Sequence, residues 1–194
     1  RADHSSVSGD DCAERRWPVA IVAVHWTAGL LAFAVAGFAI YLLSPPDWSQ
    51  RYIDRYMALI GWHKLGGLLV LGLALFWTSV RRHMPRPSAV GGRAARIVHG
   101  TLLVLLIALP VSGYVMDAFV NARLELPLGI SIPSPFAPNE TAGIALSYAH
   151  KWGGFTFIGI AAAHAAAAIG HAMRPGDRVL RAMTPNPFQG KRSR

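Results

Sequence analysis

The sequence predicts an all-α integral membrane protein, a bundle of four transmembrane helices with both termini in the cytoplasm. Three observations support this prediction. Of the 194 residues, 53% are hydrophobic and only 15% are charged, a composition unusual for a soluble domain of this size. Four apolar stretches are each long enough, as helices, to cross a hydrocarbon core of about 30 Å. Lysine and arginine residues flank these stretches in a pattern that orients the chain.

The helices are predicted from the lengths of the apolar runs and from the residues at their ends. The first stretch follows Arg16 and stops before Pro45, the second ends at Arg81, and the fourth ends at Arg174. Arginine favours the membrane surface, and proline stops a helix. The predicted helices cover about residues 18–43, 57–80, 96–119 and 142–173.

The distribution of basic residues predicts the orientation. Fourteen of the nineteen lysine and arginine residues lie in the N-terminal segment, the 81–96 connection and the C-terminal tail, and five lie at the opposite ends of the helices. The side richer in basic residues is the cytoplasmic one. The proline-rich 120–141 connection is then an extracytoplasmic loop, too irregular to lie in lipid, and we expect it to cap the outer end of the bundle.

The transmembrane domain is predicted to span residues 17–185. Residues 1–16 are charged and serine-rich, so we expect a disordered segment rather than a cleavable signal peptide, and residues 186–194 form a basic tail. The only cysteine is Cys12, which excludes an internal disulfide, a cysteine-ligated iron–sulfur cluster and the attachment motif of c-type haem. We attribute the net charge of +9 to membrane flanks and expect no nucleic-acid partner.

Histidines are the residues most indicative of function, because a histidine inside a membrane helix is energetically expensive. His150 and His164 are fourteen residues apart, close to four helical turns, so they share a face about 21 Å apart along the axis. One helix can thus give one ligand to each of two sites. His171 lies on the same face, so the sequence leaves open whether His164 or His171 is the inner ligand. Six histidines lie in or at the predicted helices: His25, His63, His99, His150, His164 and His171.

Depth in the membrane predicts an inner pair, His25 and His164. His25 lies nine residues after Arg16, and His164 lies ten residues before Arg174. Both are therefore about 13–15 Å from the cytoplasmic interface.

His63 and His150 form the predicted outer pair. Each opens an inward-running helix with the pattern His-Lys-X-Gly-Gly, at residues 63–67 and 150–154. The glycines let a flat group approach the backbone, or they serve ordinary helix packing. Two imidazoles across a flat gap, without carboxylate, thiolate or a third histidine at equal depth, suit low-spin haem iron better than zinc or copper. His99 and His171 are left near the cytoplasmic surface.

The combined spacing resembles the bacterial cytochrome b561 family. The resemblance rests on His25-Trp26 in helix 1, His63 opening helix 2, His99 before the Ile107–Pro110 run, and His150, His164 and His171 in helix 4. It implies two haem b groups in the bacterial inner membrane, with His25 and His164 ligating the inner one and His63 and His150 the outer one. It also implies that His171, with His99, lies where ubiquinone docks, and that electrons come from superoxide or another periplasmic donor.

Two lysines beside the outer pair, Lys64 and Lys151, would attract a small anion such as superoxide. The presence of lysines at these two positions is explained at least as well by their ammonium groups reaching the lipid headgroups. Their role as steering residues is therefore an expectation that depends mainly on the resemblance.

Two other functions stay open. In the first, the chain is a haem-bearing anchor subunit that connects a partner dehydrogenase or hydrogenase to the quinone pool. Apolar residues in the 120–141 loop would suit such a docked partner: Leu124, Leu126, Leu128, Ile130 and Ile132. In the second, the chain is a histidine-lined proton or metal transporter without haem, which would be colourless when purified.

Overall fold

Four long helices form the protein in a computed structural model that describes residues 17–44, 46, 49–83, 92–174 and 183. The predicted disordered segment 1–16 and basic tail 186–194 lie outside the described residues. Each helix is long and apolar enough to cross a membrane. The four-helix membrane fold predicted from the sequence is confirmed, and the cytoplasmic placement of the termini stays a prediction. The helices are α1 (Val19–Leu42), α2 (Gln50–His83), α3 (Arg93–Val120) and α4 (Glu140–Ala172).

The largest difference from the predicted boundaries is at the start of α2. The helix begins at Gln50 rather than near residue 57. Its first two turns carry charged residues such as Asp54, which interrupt the apolar run on which the prediction depended. The Gln50 side-chain amide donates a hydrogen bond of 2.8 Å to the Asp54 carboxylate one turn later. Hydropathy therefore located the membrane-spanning part of α2 and missed its polar extension.

Close contacts between neighbouring helices depend on glycine. Helix α1 packs along α2, α2 along α3, and α3 along α4. A Cβ atom at Gly66 would lie 2.5 Å from Val35 Cγ2, and one at Gly143 would lie 2.6 Å from Val120 Cγ2. Small residues at these points let the backbones approach, as is typical of helix packing in lipid.

The bundle has a small core and a large apolar exterior. Ala32, Val70, Phe157 and Ala161 form the buried hydrophobic cluster at mid-height. Many large apolar side chains point outward instead, Leu30 for example being 67% exposed. Because lipid tails are as apolar as leucine, an apolar exterior is what a membrane requires of the protein surface.

The connection between α3 and α4 contains a short hairpin. Strands β1 (Arg123–Glu125) and β2 (Ser131–Pro133) pair antiparallel, and a 3₁₀ turn at Pro127–Gly129 joins them. Leu124 is buried, and the Ser134 hydroxyl donates a hydrogen bond of 2.6 Å to the Ala118 carbonyl. The loop predicted to be irregular is therefore partly regular, and it packs against the end of α3.

Candidate functional site

The outer pair consists of His63 from α2 and His150 from α4. Their ring centres are 6.0 Å apart and their planes are inclined at 83°. Both side chains are partly buried between the helices. The structure therefore brings together the two histidines that were paired by depth and by the shared His-Lys-X-Gly-Gly pattern.

A backbone carbonyl orients each ring of the outer pair. His63 Nδ1 lies 3.1 Å from the Val35 carbonyl oxygen, and His150 Nδ1 lies 3.0 Å from the Leu109 carbonyl oxygen. Because a carbonyl can only accept a hydrogen bond, both Nδ1 atoms carry the proton and both Nε2 atoms keep a free lone pair. Metal-bound histidines almost always donate their other ring N–H in this way.

The inner cluster consists of His25, His99 and His164, contributed by α1, α3 and α4. The ring centre of His164 lies 6.4 Å from that of His25 and 5.0 Å from that of His99. Trp26 and Trp77 surround His25, with ring centres 5.6 Å and 6.4 Å away. His25 Nδ1 is buried and has no hydrogen-bond partner among the described residues. The expectation that no third histidine lies at the depth of either pair is therefore wrong for the inner one, because the His99 ring lies against that of His164.

The chain beyond His164 contributes one more histidine of α4 and one contact beside the inner cluster. His171 lies two turns beyond His164 on α4. The Trp26 indole N–H donates a hydrogen bond of 2.9 Å to the Met183 carbonyl. The chain after α4 therefore contacts α1 next to His25, a contact that the sequence did not predict.

The distances between ring centres distinguish the possible metal-binding pairs. A metal–imidazole bond of about 2.0–2.1 Å, plus roughly 1.1 Å from each nitrogen to its ring centre, puts two axial rings about 6.3 Å apart. The pairs His63–His150 at 6.0 Å and His25–His164 at 6.4 Å match this spacing. The His99–His164 separation of 5.0 Å is too short for two rings on opposite sides of one metal ion.

Glycines near the histidines fall into two groups. A Cβ atom at Gly153 would lie 3.0 Å from Leu109 Cδ2, so Gly153, like Gly66, serves helix packing. Gly67 and Gly154 come one turn after His63 and His150, and a Cβ atom there would have nothing within 4 Å. Gly29 repeats this arrangement one turn after His25. The His-Lys-X-Gly-Gly pattern had pointed to Gly66, Gly67, Gly153 and Gly154, but not to Gly29. The shared His-X-X-X-Gly spacing now adds Gly29 to this group.

These features suit haem chemically. Among the described residues, no group of three or more histidine, cysteine, aspartate and glutamate side chains is arranged to hold a metal ion. A metal at either pair would need further ligands, and a porphyrin supplies four in one plane. The open space at the glycines one turn after His25, His63 and His150 would leave room for such a plane beside the helices.

Two residues of α3 that the sequence analysis did not single out contact His150. The Ser112 hydroxyl lies 3.2 Å from His150 Nδ1, and a Cβ atom at Gly113 would lie 3.0 Å from His150 Cε1. No motif marks them, because their role depends on the packing of α3 against α4.

The two lysines beside the outer pair differ in their surroundings. The Lys64 ammonium lies 2.8 Å from the Asp117 carboxylate, so an opposite charge balances it. Lys151 is exposed. An electrostatic role toward a solvent anion is therefore better suited to Lys151.

Comparison with known proteins agrees with the resemblance inferred from the histidine spacing. The family described as prokaryotic cytochrome b561 matches residues 16–186 of the chain. Cytochrome b561 homolog 1 of Escherichia coli K12 is 27% identical over 173 residues, which cover 84% of this chain and 94% of that protein. The family match includes all four helices and both histidine sites.

Proposed function

The chain belongs to the prokaryotic cytochrome b561 family, and from that membership we propose that it is a di-haem cytochrome that passes electrons from superoxide to ubiquinone across the bacterial inner membrane. Family membership alone makes it a multi-pass bacterial membrane protein that binds b-type haem and transfers electrons. The number of haems, the electron donor, the acceptor and the choice of membrane are the proposal.

In this proposal, His63 and His150 would hold the outer haem, and His25 and His164 would hold the inner haem. A bound haem supplies an iron that gains and loses one electron. The observation that carries the assignment is the outer pair, where both Nδ1 atoms contact carbonyl oxygens and the ring centres are 6.0 Å apart. That arrangement leaves both Nε2 atoms available to one iron.

Helix α4 provides the electron path because it carries one ligand of each haem. His150 and His164 are separated by about 21 Å along the axis, most of the thickness of a hydrocarbon core. Phe157, midway between them, is buried with Val70 and Ala161. These side chains exclude water between the two sites.

The donor and acceptor would meet the protein at opposite ends. Exposed Lys151, beside the outer pair, would attract superoxide, and Lys64 would contribute less because Asp117 balances its charge. At the inner end, His99 is exposed while its ring contacts that of His164. His99, with His171, could donate a hydrogen bond and a proton to a quinone carbonyl.

A membrane-anchor subunit for a partner dehydrogenase or hydrogenase is the second candidate. Leu128 at the tip of the hairpin is 85% exposed, and Ile130 and Ile132 beside it are also exposed. Leu124, by contrast, is buried, so the apolar surface offered to a partner is smaller than the sequence suggested.

The first test is to measure the haem-to-protein ratio of the purified protein and then to add superoxide with and without ubiquinone. We expect two haems per chain, reduction by superoxide, and reoxidation by ubiquinone. Two haems that do not respond to superoxide would favour the anchor subunit. A colourless protein would contradict the haem assignment and favour a transporter.

A second test resolves the choice between His164 and His171. We expect His164→Ala to lose one haem, because the ring of His164 lies opposite that of His25. His171→Ala should keep both haems and slow quinone reduction. Two intact haems in the His164 variant would overturn the ligand assignment.

A further inference from the structure

An ion pair links α2 to α3 directly beside the outer pair. Lys64 follows His63 in the chain, and its ammonium lies 2.8 Å from Asp117 Oδ1. The side chains are only 19% and 9% exposed. The side-chain amide of Asn121 donates a second hydrogen bond of 2.8 Å to the same carboxylate oxygen.

The other oxygen of this carboxylate is poorly satisfied. Asp117 Oδ2 is buried and has no hydrogen-bond partner among the described residues. A buried carboxylate oxygen without a partner is unfavourable, and a buried ion pair is often no more stable than an apolar replacement. Stability alone therefore does not account for the charges at this position.

We propose that the Lys64 and Asp117 charges act in opposite directions on the reduction potential of the outer haem, so that neither charge alone shifts it. The inference rests on the proposed ligation of that haem by His63 and His150. Reduction of the iron adds one negative charge to the site, so a nearby positive charge favours the reduced state and a negative charge favours the oxidised state. The intact pair keeps these two opposing effects nearly in balance.

Removing one partner should expose the effect of the other. Asp117→Asn leaves the Lys64 charge unbalanced, so the outer haem should become easier to reduce. Lys64→Gln leaves the Asp117 charge unbalanced, so the same haem should become harder to reduce. Each single variant should change the reduction equilibrium by tenfold or more, which corresponds to about 59 mV for one electron.

Three control variants separate charge from local structure. The double variant Lys64→Gln with Asp117→Asn should return the potential close to that of the wild type, because both charges are gone. Lys64→Arg keeps the charge and should keep the potential. Lys151→Gln removes an exposed charge that water screens, so its effect should be much smaller.

The experiment is a redox titration of the purified wild-type protein and the five variants, followed by haem absorbance and fitted to two one-electron transitions. We expect opposite shifts in the two single variants, confined to one transition, with recovery in the double variant. Shifts of the same sign, or none, in variants that retain both haems would overturn the inference. If Asp117→Asn does not fold, an unchanged potential in Lys64→Gln would overturn it equally. A wild-type protein without haem would instead contradict the proposed function.

Discussion

The outer pair and the inner cluster both consist of histidine side chains, but they differ in how those side chains are held. At the outer pair, a carbonyl oxygen orients each of two imidazoles. In the inner cluster, three imidazoles lie together and His25 Nδ1 has no hydrogen-bond partner among the described residues. Under the proposed function, superoxide oxidation releases an electron without a proton, whereas quinone reduction consumes protons. From this difference we infer that the outer end holds a haem rigidly and that the inner end also transfers protons.

The largest effect should come from His63→Ala. This change removes one of the two imidazoles of the outer pair, and among the described residues no other aromatic ring contacts that of His150. We expect the haem-to-protein ratio to fall from two to one. The remaining haem should still be reoxidised by ubiquinone, since the inner cluster is intact. A variant that kept two haems would show that the outer pair is not a haem site.

A large residue in place of the glycine one turn after His150 should have the next largest effect. Gly154→Leu would fill the open space in which we propose that a porphyrin contacts α4, so we expect at least tenfold weaker binding of the outer haem. The matched control is Gly159→Leu, because Gly159 is on the same helix and also has nothing within 4 Å of a Cβ atom. Haem binding is measured by reconstituting the apoprotein. Equal affinities of the two variants would mean that the open space at Gly154 has no role in haem binding.

His99→Ala should separate ligation from quinone chemistry at the inner cluster. The His99 and His164 rings, at 5.0 Å, are too close to lie on opposite sides of one iron. We therefore expect both haems to remain. Quinone reduction should slow about tenfold, less than the usual contribution of a general acid, because His171 remains. The rate of haem reoxidation by ubiquinone measures the effect, and reduction by superoxide is the internal control. Loss of a haem would reassign His99 as a ligand.

The sequence could predict which histidines pair, because pairing depends on the helical repeat and on depth in the membrane. It could predict few of the features that depend on how the helices pack. Counting residues from the membrane-flanking arginines paired His25 with His164, and the shared His-Lys-X-Gly-Gly pattern paired His63 with His150. The structure brings both pairs together. Whether a glycine contacts another helix or borders open space depends on the neighbouring helix, so the sequence could not predict it.

The sequence also did not predict contacts between residues that are far apart in the chain. The contact between Lys64 and Asp117 is one of these, because it depends on how α2 and α3 pack. The sequence did not predict the hairpin, because its strands are only three residues long and prolines lie in the turn and at the end of β2. Periodic patterns need longer segments than these to be detected.

The smallest effect should come from Ser112→Ala, which tests how much of the rigidity of the outer pair depends on side chains. Its hydroxyl lies 3.2 Å from His150 Nδ1, whereas the Leu109 carbonyl lies at 3.0 Å and would remain. Loss of a residue that supports a metal ligand commonly weakens metal binding about 10–100-fold. Because the carbonyl persists, we expect less than tenfold faster loss of the outer haem to an apo-globin acceptor. Thr156→Ala is the control, since that hydroxyl bonds only to the Trp152 carbonyl on its own helix. Equal rates in the two variants would show that the backbone carbonyl alone fixes the His150 ring, and would make the outer pair more rigid than its side-chain contacts imply.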